Sequence, residues 1–315
     1  MTGVVYKSTG SWYHVKNATG ELIPCRIKGK FRIEGLTSTS PVAVGDVVDA
    51  TLKDTQEGVQ GIITHIHERK NYIVRKSVNL SKQIHIIAAN IDCAFLLVTL
   101  NNPSTYPAFI DRFLATAEAY QIETALLFNK EDAYAEAEKQ EMRKLVEIYT
   151  DIGYSCLEIS ALKGTHLDEV KALMKGKTCM LSGHSGVGKS TLVNSLAPKL
   201  NIKTTEISAH HQQGQHTTTF AEMHDLDFGA RIVDTPGIRG FGVVNMAREE
   251  VGDYFREFFA QKEQCKFNNC LHVEEPKCAI KSAVARGEIA ASRYKSYLQI
   301  LEGDDTHYRT DFWDA

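Results

Sequence analysis

Between positions 178 and 196 the chain reads as a short apolar run, then Gly183-His184-Ser185-Gly186-Val187-Gly188-Lys189-Ser190, then a segment of helical spacing. This pattern restricts the fold more than any other in the sequence. A glycine-rich loop that leaves a strand and opens a helix belongs to parallel α/β architecture, where ligands sit at the carboxyl ends of strands. Gly183, Gly186 and Gly188 let the backbone N–H groups curl toward a common point, and the helix that follows adds its positive end. Such a loop cradles phosphate. Lys189 is placed to neutralise terminal phosphate oxygens and the Ser190 hydroxyl to ligate Mg2+, with Thr191 beginning the helix and Ser182 closing the strand.

The surrounding pattern agrees. Apolar runs at 91–99, 124–129, 156–160, 178–182 and 231–234 alternate with helical spacing at 107–120, 135–150, 167–175 and 189–196. Three further polar motifs fall at the ends of predicted strands. Asn129-Lys130-Glu131-Asp132 has the spacing that reads guanine, because the Asp132 carboxylate accepts from the ring N–H and the exocyclic amine, whereas adenine would leave it unpaired. Ser160-Ala161-Leu162 is placed to support the base. Asp234-Thr235-Pro236-Gly237 offers a metal-shell carboxylate and a backbone N–H for the γ-phosphate. Upstream, 214–219 carries His216, Thr217, Thr218 and Thr219 in a polar stretch from which one threonine could close onto Mg2+, and spacing does not select which. Guanine specificity with a phosphate loop predicts a GTPase. The base-reading motif precedes the phosphate loop, so the domain is circularly permuted, and both switch segments lie just before the carboxy-terminal region.

Residues 1–76 hold 11 Lys and Arg against 7 Asp and Glu, whereas the chain as a whole has net charge −3. This basic part reads as short strands at 4–6, 12–15, 22–27, 47–52 and 61–66. Five strands suggest a small barrel of the oligonucleotide-binding (OB) type. Arg26, Lys28, Lys30 and Arg32 around Phe31 fit either phosphate contacts with a stacking ring or an exposed solubilising loop. After 242 the strands stop, and helices are expected at 249–260 and 288–301. Between them Cys265, Cys270, His272 and Cys278 supply three thiolates and an imidazole, the donor set of a closed, structural zinc site. The other cysteines are scattered, as expected of reduced thiols. The expected architecture is multidomain: an N-terminal OB-type β-barrel over 1–72, a central α/β circularly permuted P-loop GTPase domain over 73–242, and a mostly helical zinc-binding domain over 243–315. Apolar runs are too short to span a membrane and 1–20 lacks an apolar signal core, so a cytoplasmic protein is expected.

The motif order 129–132, 160–162, 183–191, 214–219 and 234–237, the preceding barrel and the following Cys/His cluster together resemble the YjeQ (RsgA) family of circularly permuted GTPases across essentially the whole chain. The resemblance implies rRNA binding, GTP hydrolysis stimulated by the small ribosomal subunit, and action in late maturation of that subunit. Gln215 and Gly240 depart from the family's usual basic and acidic residues. Ile238 follows Gly237 where many GTPases carry a water-orienting Gln, so another group must act on water. His216 is the nearest switch imidazole, and the resemblance points to it as catalytic, against a competing role contacting RNA or solvent. His210 and His211 lie nearby without motif support. A monomer is expected. The competing function is an RNA-binding scaffold that uses GTP for stability without stimulated turnover.

Overall fold

The computed structural model describes residues 1–27, 41–56, 58–76, 84–200, 221–234 and 246–303. Lys28, Lys30, Phe31, Arg32, His210, His211, the 214–219 stretch with His216, Thr217 and Thr218, Gly237, Ile238 and the acidic end beyond 303 lie outside these residues.

Alternating apolar residues build a barrel from β1 (Thr2–Ser8), β2 (Tyr13–Asn17), β3 (Leu22–Ile27), β4 (Val47–Thr55) and β5 (Gly58–Ile66). β1 pairs with β2, β2 with β3, β3 in parallel with β5, β5 with β4, and β4 returns to β1. The circuit is closed. Val5, Val15, Ile23, Cys25, Val48 and Ile63 point inward, and at Gly61 a side chain would collide with the Cys25 sulfur. A separate hairpin follows, β6 (Tyr72–Lys76) with β7 (Ile84–Ala89), which the sequence pattern did not resolve.

The central sheet contains β8 (Cys93–Val98), β9 (Glu123–Phe128), β10 (Ser155–Glu158), β11 (Thr178–Ser182), β12 (Glu222–Leu226) and β13 (Ala230–Asp234). They lie in the order β10-β9-β8-β11-β13-β12, all parallel except β12. α1 (Pro107–Ala119) and α2 (Glu136–Asp151) cover one face; α3 (Leu167–Met174) and α4 (Lys189–Leu196) cover the other. With helices on both faces every residue of β8 is buried, which is why that strand is continuously apolar.

The expected helix over 249–260 is interrupted. A short 3-10 turn, Val251–Tyr254, precedes α5 (Arg256–Phe259), because Phe255 between them is extended and buries its ring against Phe258 and Tyr297. α6 (Ala279–Ala285) and α7 (Ala291–Glu302) complete the carboxy-terminal region, whose core includes Ala115 of α1.

Two junctions join these regions. β1 pairs antiparallel with β12 at Lys7 and Glu222, making the barrel and central sheet continuous. Lys7 donates to Glu222 at 2.7 Å, Tyr6 donates its hydroxyl proton to Asp225 at 2.7 Å, and Lys16 pairs with the other oxygen of Asp225. On the opposite flank Arg293 of α7 is buried. It donates to Glu257 at 2.7 and 3.1 Å and to Asp111 of α1 at 2.7 Å, while Tyr149 of α2 donates to the same Asp111 oxygen at 2.8 Å. Arg256 donates to Glu118 at 2.6 Å and lies 3.9 Å from the centre of the Tyr154 ring.

Candidate nucleotide site and metal centre

The parallel strands deliver four of the sequence motifs to one edge of the sheet. Asn129 follows β9, Ser160 follows β10, Gly183 follows β11 and Asp234 ends β13. Since Val233 registers with Met180, Asp234 lies level with Leu181, one residue short of Ser182. This is the crevice at the carboxyl ends of the strands where doubly wound sheets bind ligands.

The phosphate-type loop is held from beneath. Val187 is buried while Ser185 and Gly186 are exposed, and Gly183, Gly186 and Gly188 have φ of 137°, 82° and 100°. At Gly188 a side chain would occupy the position of the Asn129 amide nitrogen. That amide donates to the Val187 carbonyl at 2.7 Å, and its oxygen accepts from the Ala161 N–H at 2.9 Å. Asn129 is therefore used inside the protein, tying three motif loops together, and is 2% exposed. The motif's outward-facing acid is Asp132, which is exposed and accepts a hydrogen bond from the Ser160 hydroxyl at 2.5 Å. Ser160 in turn accepts from the Lys163 N–H at 3.0 Å, and Ser195 of α4 donates to the Ala161 carbonyl at 2.8 Å. Leu162 is 73% exposed beside them. Glu131 pairs with Lys139 at 2.9 Å.

Lys189 donates to the carbonyls of Gly183 and His184 at 2.6 and 2.7 Å, so its ammonium lies across the loop. Lys130 donates to the Asn102 carbonyl, and its pKa is lowered by burial. His184 stacks on Phe109 of α1, with ring centres 4.0 Å apart. Burial and then the Lys189 charge lower its pKa, keeping the imidazole neutral at pH 7. Ser182 is buried, and its hydroxyl has no partner among the described residues. Ser190 and Thr191 open α4 in partly buried positions. A hydroxyl at Ser190 and a carboxylate at Asp234 are hard oxygen donors of the kind Mg2+ takes. No sequence signal identified Phe109 or Asn102 as partners of this site, because each comes from a segment without motif character.

The four Cys/His residues also converge. Their ligand atoms lie within 4.8 Å of one another, with Cys265, His272 and Cys278 buried. The His272 Nδ1 is 3.6 Å from the Cys265 sulfur and 3.4 Å from that of Cys278. A tetrahedral metal with sulfur at about 2.3 Å and nitrogen at about 2.0 Å holds such atoms about 3.5 Å apart. The donors therefore fit a metal ion. The N–H groups of Ala279 and Lys281, at the start of α6, donate to the sulfurs of Cys265 and Cys278 at 3.4 Å each. Burial and then Cys278 push the Cys270 thiol up to about 12, an order that a bound cation reverses. Burial lowers His272, favouring the neutral imidazole that ligates metals. Around the cluster, Tyr294 and Tyr297 of α7 donate to the carbonyls of His272 and Leu271, each at 2.6 Å. Both Glu275 oxygens accept backbone N–H groups, from Leu271 at 2.8 Å and Val273 at 2.9 Å.

Comparison with known proteins gives the same organisation. The RsgA GTPase profile matches residues 66–244 and the RsgA N-terminal domain profile matches 2–59. A protein of Christiangramia forsetii called small ribosomal subunit biogenesis GTPase RsgA is 63% identical over 311 residues, covering 99% of each chain. A protein of Bacteroides fragilis with that name is 52% identical over 313 residues, covering 99% of this chain and 100% of its own. Among solved structures, YjeQ from Thermotoga maritima superposes with TM-score 0.78 at 35% identity, covering 96% of this chain and 97% of that one. YloQ, described as a circularly permuted GTPase, superposes with TM-score 0.75 at 28% identity, covering 96% and 94%. The two profiles together span the barrel and the central sheet, and the relatives match over nearly their whole length. The chain belongs to the RsgA family of circularly permuted GTPases and is a GTP-hydrolysing enzyme.

Proposed function

We propose that this GTPase binds the small ribosomal subunit and its rRNA and acts in late maturation of that subunit, with turnover stimulated by the ribosome. The names of its relatives support the subunit; a basic amino-terminal region with the Arg26 guanidinium 3.9 Å from the centre of the Trp12 ring supports RNA contact. Among the described residues no helix is long and apolar enough to cross a membrane, and a ribosomal partner makes the cytoplasm its working compartment. We assign 1–72 to the RNA-binding barrel, 73–242 to the GTPase domain and 243–315 to a zinc-binding domain, and expect a monomer.

The observation that carries the nucleotide assignment is the bridging of three motif loops by Asn129. In this reading Asp132 reads guanine, with Lys130, Glu131 and Ser160–Leu162 forming the rest of its surroundings. The loop from Ser182 through Gly188 wraps the phosphates; Lys189, Ser190, Thr191 and the Gly237 N–H complete it. Ser190, Asp234 and a threonine, Thr217 or Thr218, would hold the Mg2+ that accompanies GTP, and the ion would there offset phosphate charge. His216 is assigned to orient the attacking water, because Ile238 has no group that can do so. Zinc is assigned to Cys265, Cys270, His272 and Cys278 as a structural ion: four protein donors leave no position open for water. Slow intrinsic turnover is expected, since a loop-borne catalyst must first be ordered.

The test is phosphate release with and without purified small subunits. The reading requires stimulation that His216→Ala abolishes while GTP affinity is retained. Equal rates with and without subunits, alongside tight RNA binding, would establish the scaffold instead.

A further inference from the structure

We propose that Phe109 is a positioning residue for Lys189, and that through α1 it makes nucleotide affinity depend on how the metal-binding region is docked. The inference rests on reading 183–190 as the phosphate loop. Lys189 is aimed by two carbonyls, and one belongs to His184. His184 is the loop residue whose ring stacks on Phe109 at 4.0 Å, with 34° between the planes. Pro103, in the segment leading to α1, also borders the loop: a Cβ added at Gly186 would come into ordinary van der Waals contact with its ring at 3.5 Å. The amino-terminal end of α1 thus sets the place of the carbonyl that orients the ammonium.

The rest of α1 belongs to the other junction. Asp111 accepts from Arg293, Glu118 accepts from Arg256, and Ala115 packs in the core of the carboxy-terminal region. Phe109 and Asp111 are two residues apart on one rigid helix, so displacing the metal-binding region tilts the ring under His184. In the other direction, α7 carries both Arg293 and the tyrosines that bond the carbonyls of Leu271 and His272. The path is a continuous chain of packed and hydrogen-bonded groups, and coupling along it must be reciprocal.

The experiment uses the full-length, metal-loaded protein and a fluorescent GDP analogue. Phe109→Ala should weaken its affinity roughly three- to tenfold, the range expected for losing one aromatic pair. KM for GTP should rise by the same factor with kcat unchanged, and Phe109→Tyr should restore both. Phe109→Leu keeps the apolar packing without the stacking face and should show the same loss if Ala impairs folding. GDP should also slow amide exchange across 291–302 in the wild type and not in Phe109→Leu. A folded Leu variant with wild-type affinity and KM overturns the positioning role. Unchanged exchange at 291–302 in the wild type overturns the coupling. Lys189→Ala separates these results from the underlying reading: if it binds GDP normally, the phosphate-loop assignment fails.

Discussion

The barrel and the metal-binding region are attached to the same central domain by charges, yet the two attachments are built on opposite principles. At the barrel, Lys7, Lys16, Glu222 and Asp225 meet at a sheet edge with 27% to 47% of their side-chain surface open to water. At the other flank, Arg293, Asp111 and Glu257 are nearly sealed from solvent. Water and salt screen the first set, so its ion pairs contribute little beyond orientation, while the β1–β12 pairing and the burial of Tyr6 and Val44 in the central core carry the joint. The second set has no water to fall back on: each charge must keep its partners, and the joint is specific because any other arrangement strands a charge. Asp111 shows the tension, since burial raises its carboxyl pKa while Arg293 opposes the rise, and one of its oxygens is unpartnered among the described residues.

The largest expected effect is loss of the metal. Binding energy at a structural Cys/His site is folding energy, about 10–16 kcal/mol in isolated zinc peptides. Chelation should therefore abolish amide protection across 265–301 while β8, β9 and the barrel keep theirs. Retained protection at α6 and α7 would mean that the buried charge network alone holds the region, which would sharpen the contrast. Next comes Arg293→Met, which strands Asp111 and Glu257 and should destabilise the docked region by about 3–5 kcal/mol. Replacing Asp111 and Glu257 with leucine in the same chain should recover most of that in denaturant titrations monitored at α7. If the single variant unfolds no more easily than wild type, the buried joint is no stronger than the exposed one and the comparison collapses.

The smallest effect is at the barrel. Lys16→Met should cost under about 1 kcal/mol, and nothing measurable in 1 M salt. The same joint has a defined pH window. Burial opposes ionisation of Asp225, but the bonds from Lys16 and Tyr6 hold its carboxyl below the usual value of 3.8. That contribution is present above this value and lost as pH falls through the depressed one. Burial and the bond to Asp225 push the Tyr6 phenol from 10 up to about 12. Its contribution is complete below pH 10 and lost as pH rises through about 12. Amide exchange at Lys7 and Glu222 should thus be slowest and flat between about pH 4 and 10, after correction for intrinsic rates. A transition centred near pH 7 would show that other groups govern the joint.

The candidate site was legible where chemistry is local. The glycines of 183–188, the 129–132 tetrapeptide and the 265–278 cluster announce themselves because each feature needs particular residue types at short spacing. One use of Asn129 was not legible: spacing groups it with the guanine-reading residues, and its amide in addition joins the loops behind them, which depends on β9, β10 and β11 ending side by side. Arg293 was equally hidden, since its partner Asp111 is 182 residues away in the chain. Helical spacing over 249–260 was misleading because burying Phe255 beside Tyr297 outweighed one more turn of hydrogen bonds. β12 escaped notice because a half-exposed strand such as Glu222–Leu226, Glu-Met-His-Asp-Leu, has too few apolar residues to show alternation.

By itself the sequence determined the identity of the chemical groups and the segments that carry them: a loop for phosphate, an acid for guanine, sulfur and nitrogen for a metal, and the alternating strands and helices that place loops at strand ends. Tertiary structure alone decided which groups face outward and which are spent holding others, because that depends on which strand ends become neighbours and which charges lose their water.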